Sequence, residues 1–228
     1  MELIVPLAGK DFIQADGTPK ALTNLEGEPL LRKILLSRPW HFEVRGITFI
    51  LLDNVHARDF AEEYLQNWFP GCKVAHLSSE TQGAALSTIA GVALCADLKS
   101  PVIVDLADIS YKSEIDIPSL LSNNPNCGGI ALTFRSDNPR YSYLRFDSSG
   151  NFCESAEKRV ISTTASAGTY VFKSVSTYLK ALAYAIDNSP SYLHNGLYYL
   201  CPLFNGIAVQ GLEILAQSVE DIVDIKDH

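Results

Sequence analysis

Short apolar runs alternate along this chain with longer stretches whose apolar residues recur at helical spacing, the pattern of βαβ units around a parallel sheet. Leu3-Ile4-Val5 predicts a first strand ending at Pro6, followed by a polar loop from Gly9 to Gly17. Pro29 to Leu36 reads as a helix with proline in its first turn and Leu30, Leu31, Ile34 and Leu35 on one face. Gly46 to Leu52 reads as a buried strand, and His56 to Trp68 as an amphipathic helix stopped by Pro70-Gly71. Cys72 to Leu77 predicts a third strand and Gly83 to Ala96 a helix of small residues that can pack closely on the sheet. Pro101 to Leu106 is a fourth strand, the most buried by its Val102-Ile103-Val104 centre.

Beyond Pro125 the spacing shortens. Gly129 to Phe134, Tyr143 to Phe146, Phe152 to Ala156 and Gly168 to Phe172 predict strands joined by turns such as Asp147-Ser148-Ser149-Gly150, a mixed or antiparallel extension of the sheet. Val175 to Ile186 predicts a helix, and Tyr198 to Ile207 leads to a last strand at Glu213 to Ala216. The expected fold is therefore α/β: a three-layer, doubly wound arrangement on a mixed, mainly parallel sheet, forming one domain over residues 1–228.

Composition narrows the function. A chain that is 47% hydrophobic can bury a core without disulfides or metals. A net charge of -8 argues against a nucleic-acid or anionic-membrane surface, though a few lysines in one cleft suffice for a small anion. No run approaches the length of a membrane span, and the first residues carry neither a basic region nor a cleavage site, so a cytoplasmic protein is expected. Cys72, Cys95, Cys127, Cys153 and Cys201 are scattered, which fits buried apolar residues better than a zinc site. An assembly of identical copies is compatible with all of this.

The candidate chemistry begins after the first strand. A parallel strand that empties into a glycine-containing loop presents backbone N–H groups where anions bind, and Lys10 and Lys20 flank that loop. Pro6-Leu7-Ala8-Gly9, then Pro19-Lys20, then Leu25-Glu26-Gly27-Glu28-Pro29-Leu30-Leu31 follow in order. Downstream come Thr81-Gln82-Gly83-Ala84-Ala85, Asp105-Leu106-Ala107-Asp108, Glu157-Lys158, Ala165 to Phe172, and Tyr198 to Asn205. In this order the segments resemble the sugar nucleotidyltransferases, which activate a sugar phosphate with a nucleoside triphosphate. The Tyr198–Asn205 segment resembles a subgroup associated with capsule and surface-glycan genes.

The resemblance implies a nucleotide-binding half over residues 1–125 and a sugar- or acceptor-phosphate half over 126–228. It implies catalytic roles for Lys20 and Lys10, and nucleotide contacts at Leu7, Ala8, Gly9, Gln82 and Gly83, with Gly83 letting a nucleobase approach. It also implies substrate contacts at Glu157, Lys158, Gly168 and Asn205, and Mg²⁺ on Asp108. Two polyanions must meet in such a reaction, so lysines and a hard-oxygen metal site are the residue types it needs.

Several readings compete. Side chains three apart on a continuing strand point to opposite faces, so Asp105 and Asp108 reach one cleft only if the strand ends between them; one metal ligand is expected there. Asp221 and Asp224 are carboxylates that could supply a second, and the local pattern selects neither. Glu157-Lys158 would also suit an exposed ion pair, and His76 and His194 read as structural or exposed. The loop Gly9-Lys10-Asp11-Phe12-Ile13-Gln14 is shorter than the family's, has no arginine, and places Asp11 where phosphates would lie. A non-catalytic nucleotide- or sugar-phosphate-binding relative is therefore an alternative. A glycosyltransferase of the same general (GT-A) fold is another, although Asp105 and Asp108 are one residue too far apart for its Asp-x-Asp.

Overall fold

The structure is a computed structural model and describes residues 1–224. Its strands in chain order are β1 (Glu2–Pro6), β2 (Asn24–Leu25), β3 (Glu28–Pro29), β4 (Gly46–Leu52), β5 (Lys73–Leu77), β6 (Val102–Asp105), β7 (Ile109–Lys112) and β8 (Cys127–Arg135). There follow β9 (Tyr143–Phe146), β10 (Phe152–Ala156), β11 (Thr164–Phe172), β12 (Leu193–His194), β13 (Leu197–Tyr198), β14 (Glu213–Ser218) and β15 (Glu220–Asp224). The helices are α1 (Leu30–Leu36), α2 (Val55–Phe60), α3 (Gln66–Trp68), α4 (Ala84–Val92), α5 (Ile117–Asn123), α6 (Val175–Asp187) and α7 (Leu203–Val209). A π-type turn over Ala61–Leu65 links α2 to α3, so the expected helix to Trp68 is continuous in space.

The central sheet runs β10-β9-β11-β6-β1-β4-β5, with β8 and β14 added on the other side of β11. β1 pairs in parallel with β4 and β6, as β4 does with β5. β11 is antiparallel to β6, β8 and β9, and among the described residues only β14 on β8 is parallel in the second half. The parallel character is thus concentrated in the first half, and the expected mixed extension forms after residue 125.

Alternation along β1 explains the layers. Leu3 and Val5 point into the core under α1 and α2, whereas Ile4 points into the core under α4, α6 and α7. Helix α4 is shorter than the expected Gly83–Ala96, because the chain tightens after Val92 into three-residue turns at Leu94 and Cys95. β11 begins earlier than expected, at Thr164, and a bulge between Ser166 and Tyr170 interrupts its pairing with β8. The expectations omitted α5, α7 and the short β2–β3, β12–β13 and β7–β15 ribbons. These pieces are too short for hydrophobic period to mark them. Among the described residues no helix is long and apolar enough to cross a membrane.

One buried ion pair ties the layers together. Arg38, between α1 and β4, donates from Nε to Asp105 Oδ2 at 2.8 Å and from Nη2 to the Ile109 carbonyl at 3.0 Å, with both side chains buried. The Tyr111 ring lies 3.6 Å from the guanidinium carbon, and its hydroxyl is 2.6 Å from Thr169 Oγ1 on β11. Burial works against the charge on Arg38, but Asp105 outweighs it, with Tyr111 and Asp108 on the same side, and the pKa lies above its ordinary value. Removing one partner of such a pair leaves an uncompensated buried charge. Arg38→Met is therefore expected to lower the unfolding free energy in urea by about 3–5 kcal/mol; a loss below about 1 kcal/mol would show that the pair contributes little.

Candidate functional site

The site forms where the chain leaves β6. β6 ends at Asp105, whose carboxylate turns inward to Arg38 and accepts the Ala107 N–H at 2.8 Å. Ala107 is left-handed at φ 52°, and this turn directs Asp108 the other way, into a hollow of about 120 Å³. The strand does end between the two aspartates, but Asp105 is committed to the interior and Asp108 alone reaches the hollow. Gly168 makes its floor: with φ +79° and a Cβ position 3.0 Å from Asp108 Oδ1, it leaves no room for a side chain.

β7 then starts at Ile109, and β15 lies antiparallel to it with Asp224 opposite Ile109. This register carries Asp224 to the same hollow as Asp108. Its side chain, 4% exposed, accepts the Tyr141 hydroxyl at 2.8 Å and Arg140 Nη1 at 3.3 Å. Asp221 instead faces out and pairs with Lys112. Geometry thus separates two carboxylates that the sequence pattern left equivalent.

Glu157 and Lys158 line the hollow as well. Glu157 accepts the Ser142 hydroxyl, and exposed Lys158, left-handed at φ 48°, holds its Nζ 5.5 Å from the Tyr199 ring centre. The groups behind them are neutral. Burial, above all, raises the pKa of both the Tyr170 phenol and the Cys201 thiol well above their ordinary values.

Glu157 and Lys158 also border a second, larger hollow of about 870 Å³ between β10, the β12 region and α7. His194 and Asn205 line it. Asn205 has a different occupation from the one its motif implies. Its amide donates to the Ser155 carbonyl at 2.9 Å and accepts the Ser155 N–H at 2.8 Å, bracing α7 against edge strand β10. Both ends of the amide serve the backbone, which makes it a structural brace first.

The N-terminal residues line neither hollow, although the parallel pairing of Ile4 with Val104 brings the ends of β1 and β6 to one sheet edge. Leu7 donates its N–H to Ile50, and Ala8 is buried. Gly9 accepts the Phe12 N–H in a tight turn. The loop folds back on itself through an Ile13–Pro19 bridge, pinned by buried Phe12, whose ring is 5.6 Å from Phe60. Lys10 is exposed, and Lys20 Nζ lies 2.7 Å from Asp11 Oδ2. The expected like-charge conflict of Asp11 with phosphates takes the form of an ion pair with the residue expected to neutralise them.

Gln82 is exposed, and its carbonyl accepts the Tyr198 N–H at 2.8 Å. Gly83, at φ +105°, has its absent Cβ position 2.4 Å from the Tyr198 carbonyl oxygen. The glycine thus lets the β12–β13 segment approach α4, which differs from the close approach of a nucleobase that the motif implies.

Among the described residues no cluster of three or more His, Cys, Asp or Glu forms. The donor set Asp108 plus Asp224 nonetheless fits Mg²⁺, which binds through one or two carboxylates and completes its shell with water and phosphate oxygens. Arg140, lying on Asp224, marks that carboxylate as a place for positive charge.

No protein-family model matches the chain, and no curated protein sequence matches it. Solved structures do. A nucleoside-diphosphate-sugar pyrophosphorylase from Vibrio cholerae RC9 superposes with a TM-score of 0.83 at 21% identity, over 99% of this chain and 95% of that one. A protein from Bacillus anthracis described as a glucose-1-phosphate thymidylyltransferase, in complex with a sucrose, gives 0.74 at 17% identity, over 98% and 89%. A UDP-glucose pyrophosphorylase complexed with UDP-glucose gives 0.71 at 15%, over 98% and 92%. The chain has the α/β fold of these nucleotidyltransferases along nearly its whole length.

Because Gly83 is pressed against Tyr198, Gly83→Ala adds both a clash and left-handed strain, together about 2–4 kcal/mol. A fall in Tm of about 5–15 °C is expected in thermal unfolding; a change within about 2 °C would mean that the β12–β13 segment moves away at no cost.

Proposed function

We propose that this protein is a nucleotidyltransferase that joins a nucleoside triphosphate to a sugar phosphate or similar small phosphate. In this reaction a phosphate oxygen of the acceptor forms a bond to the α-phosphorus, and the bond to the bridging oxygen breaks to release pyrophosphate. The observation that carries the proposal is the hollow at the end of β6, which gathers Asp108, Asp224, Glu157 and Lys158 on a fold shared with sugar-nucleotide pyrophosphorylases.

Asp108 and Asp224 would hold Mg²⁺, which supplies charge neutralisation for the phosphates when bound. Lys158 offers positive charge to the acceptor phosphate, and Glu157, held by Ser142, offers a carboxylate to the acceptor's hydroxyls. Lys20 and Lys10 would face the triphosphate from the β1 edge. Lys20 must first leave Asp11, a step that an approaching polyanion favours electrostatically. The larger hollow next to Glu157 and Lys158 would take the body of the acceptor. We also propose that the protein supplies activated precursors for surface glycans, a reading that rests on the Tyr198–Asn205 segment.

The Lys20–Asp11 pair and the self-folded loop favour a second reading, a non-catalytic relative that binds a nucleotide or sugar phosphate. A glycosyltransferase needs the paired aspartates that the inward turn of Asp105 removes. Pyrophosphate release, assayed with each nucleoside triphosphate against a mixture of sugar 1-phosphates and Mg²⁺, separates the two. Release with at least one pair is expected, falling about 10²–10³-fold in Lys20→Ala. Nucleotide binding without release for any pair would establish the second reading.

A further inference from the structure

Two neighbouring residues after β10 face the larger hollow together. On an extended chain adjacent side chains point to opposite sides. Lys158 is left-handed at φ 48°, and both it and Arg159 line the hollow of about 870 Å³. The Tyr199 ring brings a third polar side chain beside them: Lys158 Nζ lies 5.5 Å from its centre and the His194 ring 6.0 Å. We propose that the acceptor is a sugar phosphate carrying a second anionic group, a carboxylate or a second phosphate, which Arg159 and His194 receive in the larger hollow. The second contact rests on the nucleotidyltransferase reading, in which Lys158 meets the acceptor's first phosphate.

Charge decides what the hollow takes. Its lining holds two carboxylates, Glu154 and Glu157. Glu154 Oε1 accepts from Arg145 Nε at 3.1 Å and from Nη2 at 2.9 Å, so a guanidinium outside the lining balances it. Arg159 Nη2 lies 3.4 Å from the other oxygen of Glu154, and its side chain is 65% exposed. With Glu154 balanced by Arg145, Lys158 and Arg159 stand against Glu157, two cations to one carboxylate, on a chain whose net charge is -8. Among the described residues no hydrogen bond ties the ring nitrogens of His194, which leaves them for a ligand. The planar fork of an arginine matches a carboxylate or a phosphate. The volume is that of sites which enclose drug-sized ligands, so the body of the acceptor and a second charged group fit at once.

The test is binding, not turnover. Glucose 1-phosphate, glucuronic acid 1-phosphate and glucose 1,6-bisphosphate are titrated into the full chain with Mg²⁺ by calorimetry. The second differs from the first by a carboxylate at the far end of the sugar, and the third by a phosphate at the same carbon. The ratio of dissociation constants therefore isolates the second anion. In wild type one of these two is expected to bind about three- to tenfold more tightly than glucose 1-phosphate, and the one preferred identifies the group. Arg159 is exposed, so its replacement leaves the fold intact. In Arg159→Ala the ratio is expected to fall to near unity; in Arg159→Lys and in His194→Ala part of the preference is retained. A wild-type ratio near unity, a preference that survives in Arg159→Ala, or failure of both probes with a second anion to bind overturns the second contact. Should the preference hold while wild type releases no pyrophosphate with any nucleotide pair, the second contact is upheld and the nucleotidyltransferase reading falls.

Discussion

The buried contact of Arg38 with Asp105 sets the geometry of everything at the end of β6. A charge inside a protein persists only when its partners are fully in place, and here one guanidinium engages a carboxylate, a carbonyl and an aromatic face. Those three partners are the last residue of β6, the first of β7 and a ring on β7. The turn between them is thereby fixed, and its one sharp residue, Ala107, aims Asp108 outward. Asp224 pairs with Ile109, the residue whose carbonyl Arg38 holds, so the same contact sets the position of the second carboxylate.

This dependence explains what was legible in the sequence and what was not. Hydrophobic period marked β4, β9 and β10 to the residue and α1 to within one, because each buries a clear face or run. It also located β6 and the aspartate that follows it. Short pieces of three to seven residues stabilised by long-range pairing carry little local signal, and α5, α7 and β15 were missed for that reason. Asp224 belongs to such a piece. It was visible as a carboxylate but became distinguishable from Asp221 only through the register of β15 on β7. Arg38 and Arg140 gave no local sign beyond lying beside prolines and aromatics, since their partners are remote in sequence.

The motif residues divide along the same line. Asp108, Glu157, Lys158 and Gly168 come together around one hollow. Gly83 and Asn205 have positions dictated by packing: one admits the backbone of Tyr198, the other clamps Ser155. The loop after β1 is where fold and proposed chemistry pull apart. Its aspartate neutralises the very lysine that the reaction wants, and its closed shape is held by the packing of Phe12 on Phe60. On the proposed reading, positive charge for the phosphates comes partly from the far side of the site, from Lys158, and Lys20 joins when substrate displaces Asp11.

On the proposed function, Asp108 and Asp224, carried to one hollow by the turn that Arg38 holds, bind a single divalent cation. Crystals grown with Mn²⁺ and pyrophosphate, measured at the manganese absorption edge, locate that cation. One anomalous peak about 2.1–2.3 Å from a carboxylate oxygen of each aspartate is expected, as for a hard divalent ion. A peak bound to neither aspartate, or to Asp108 without Asp224, would rule out the shared site.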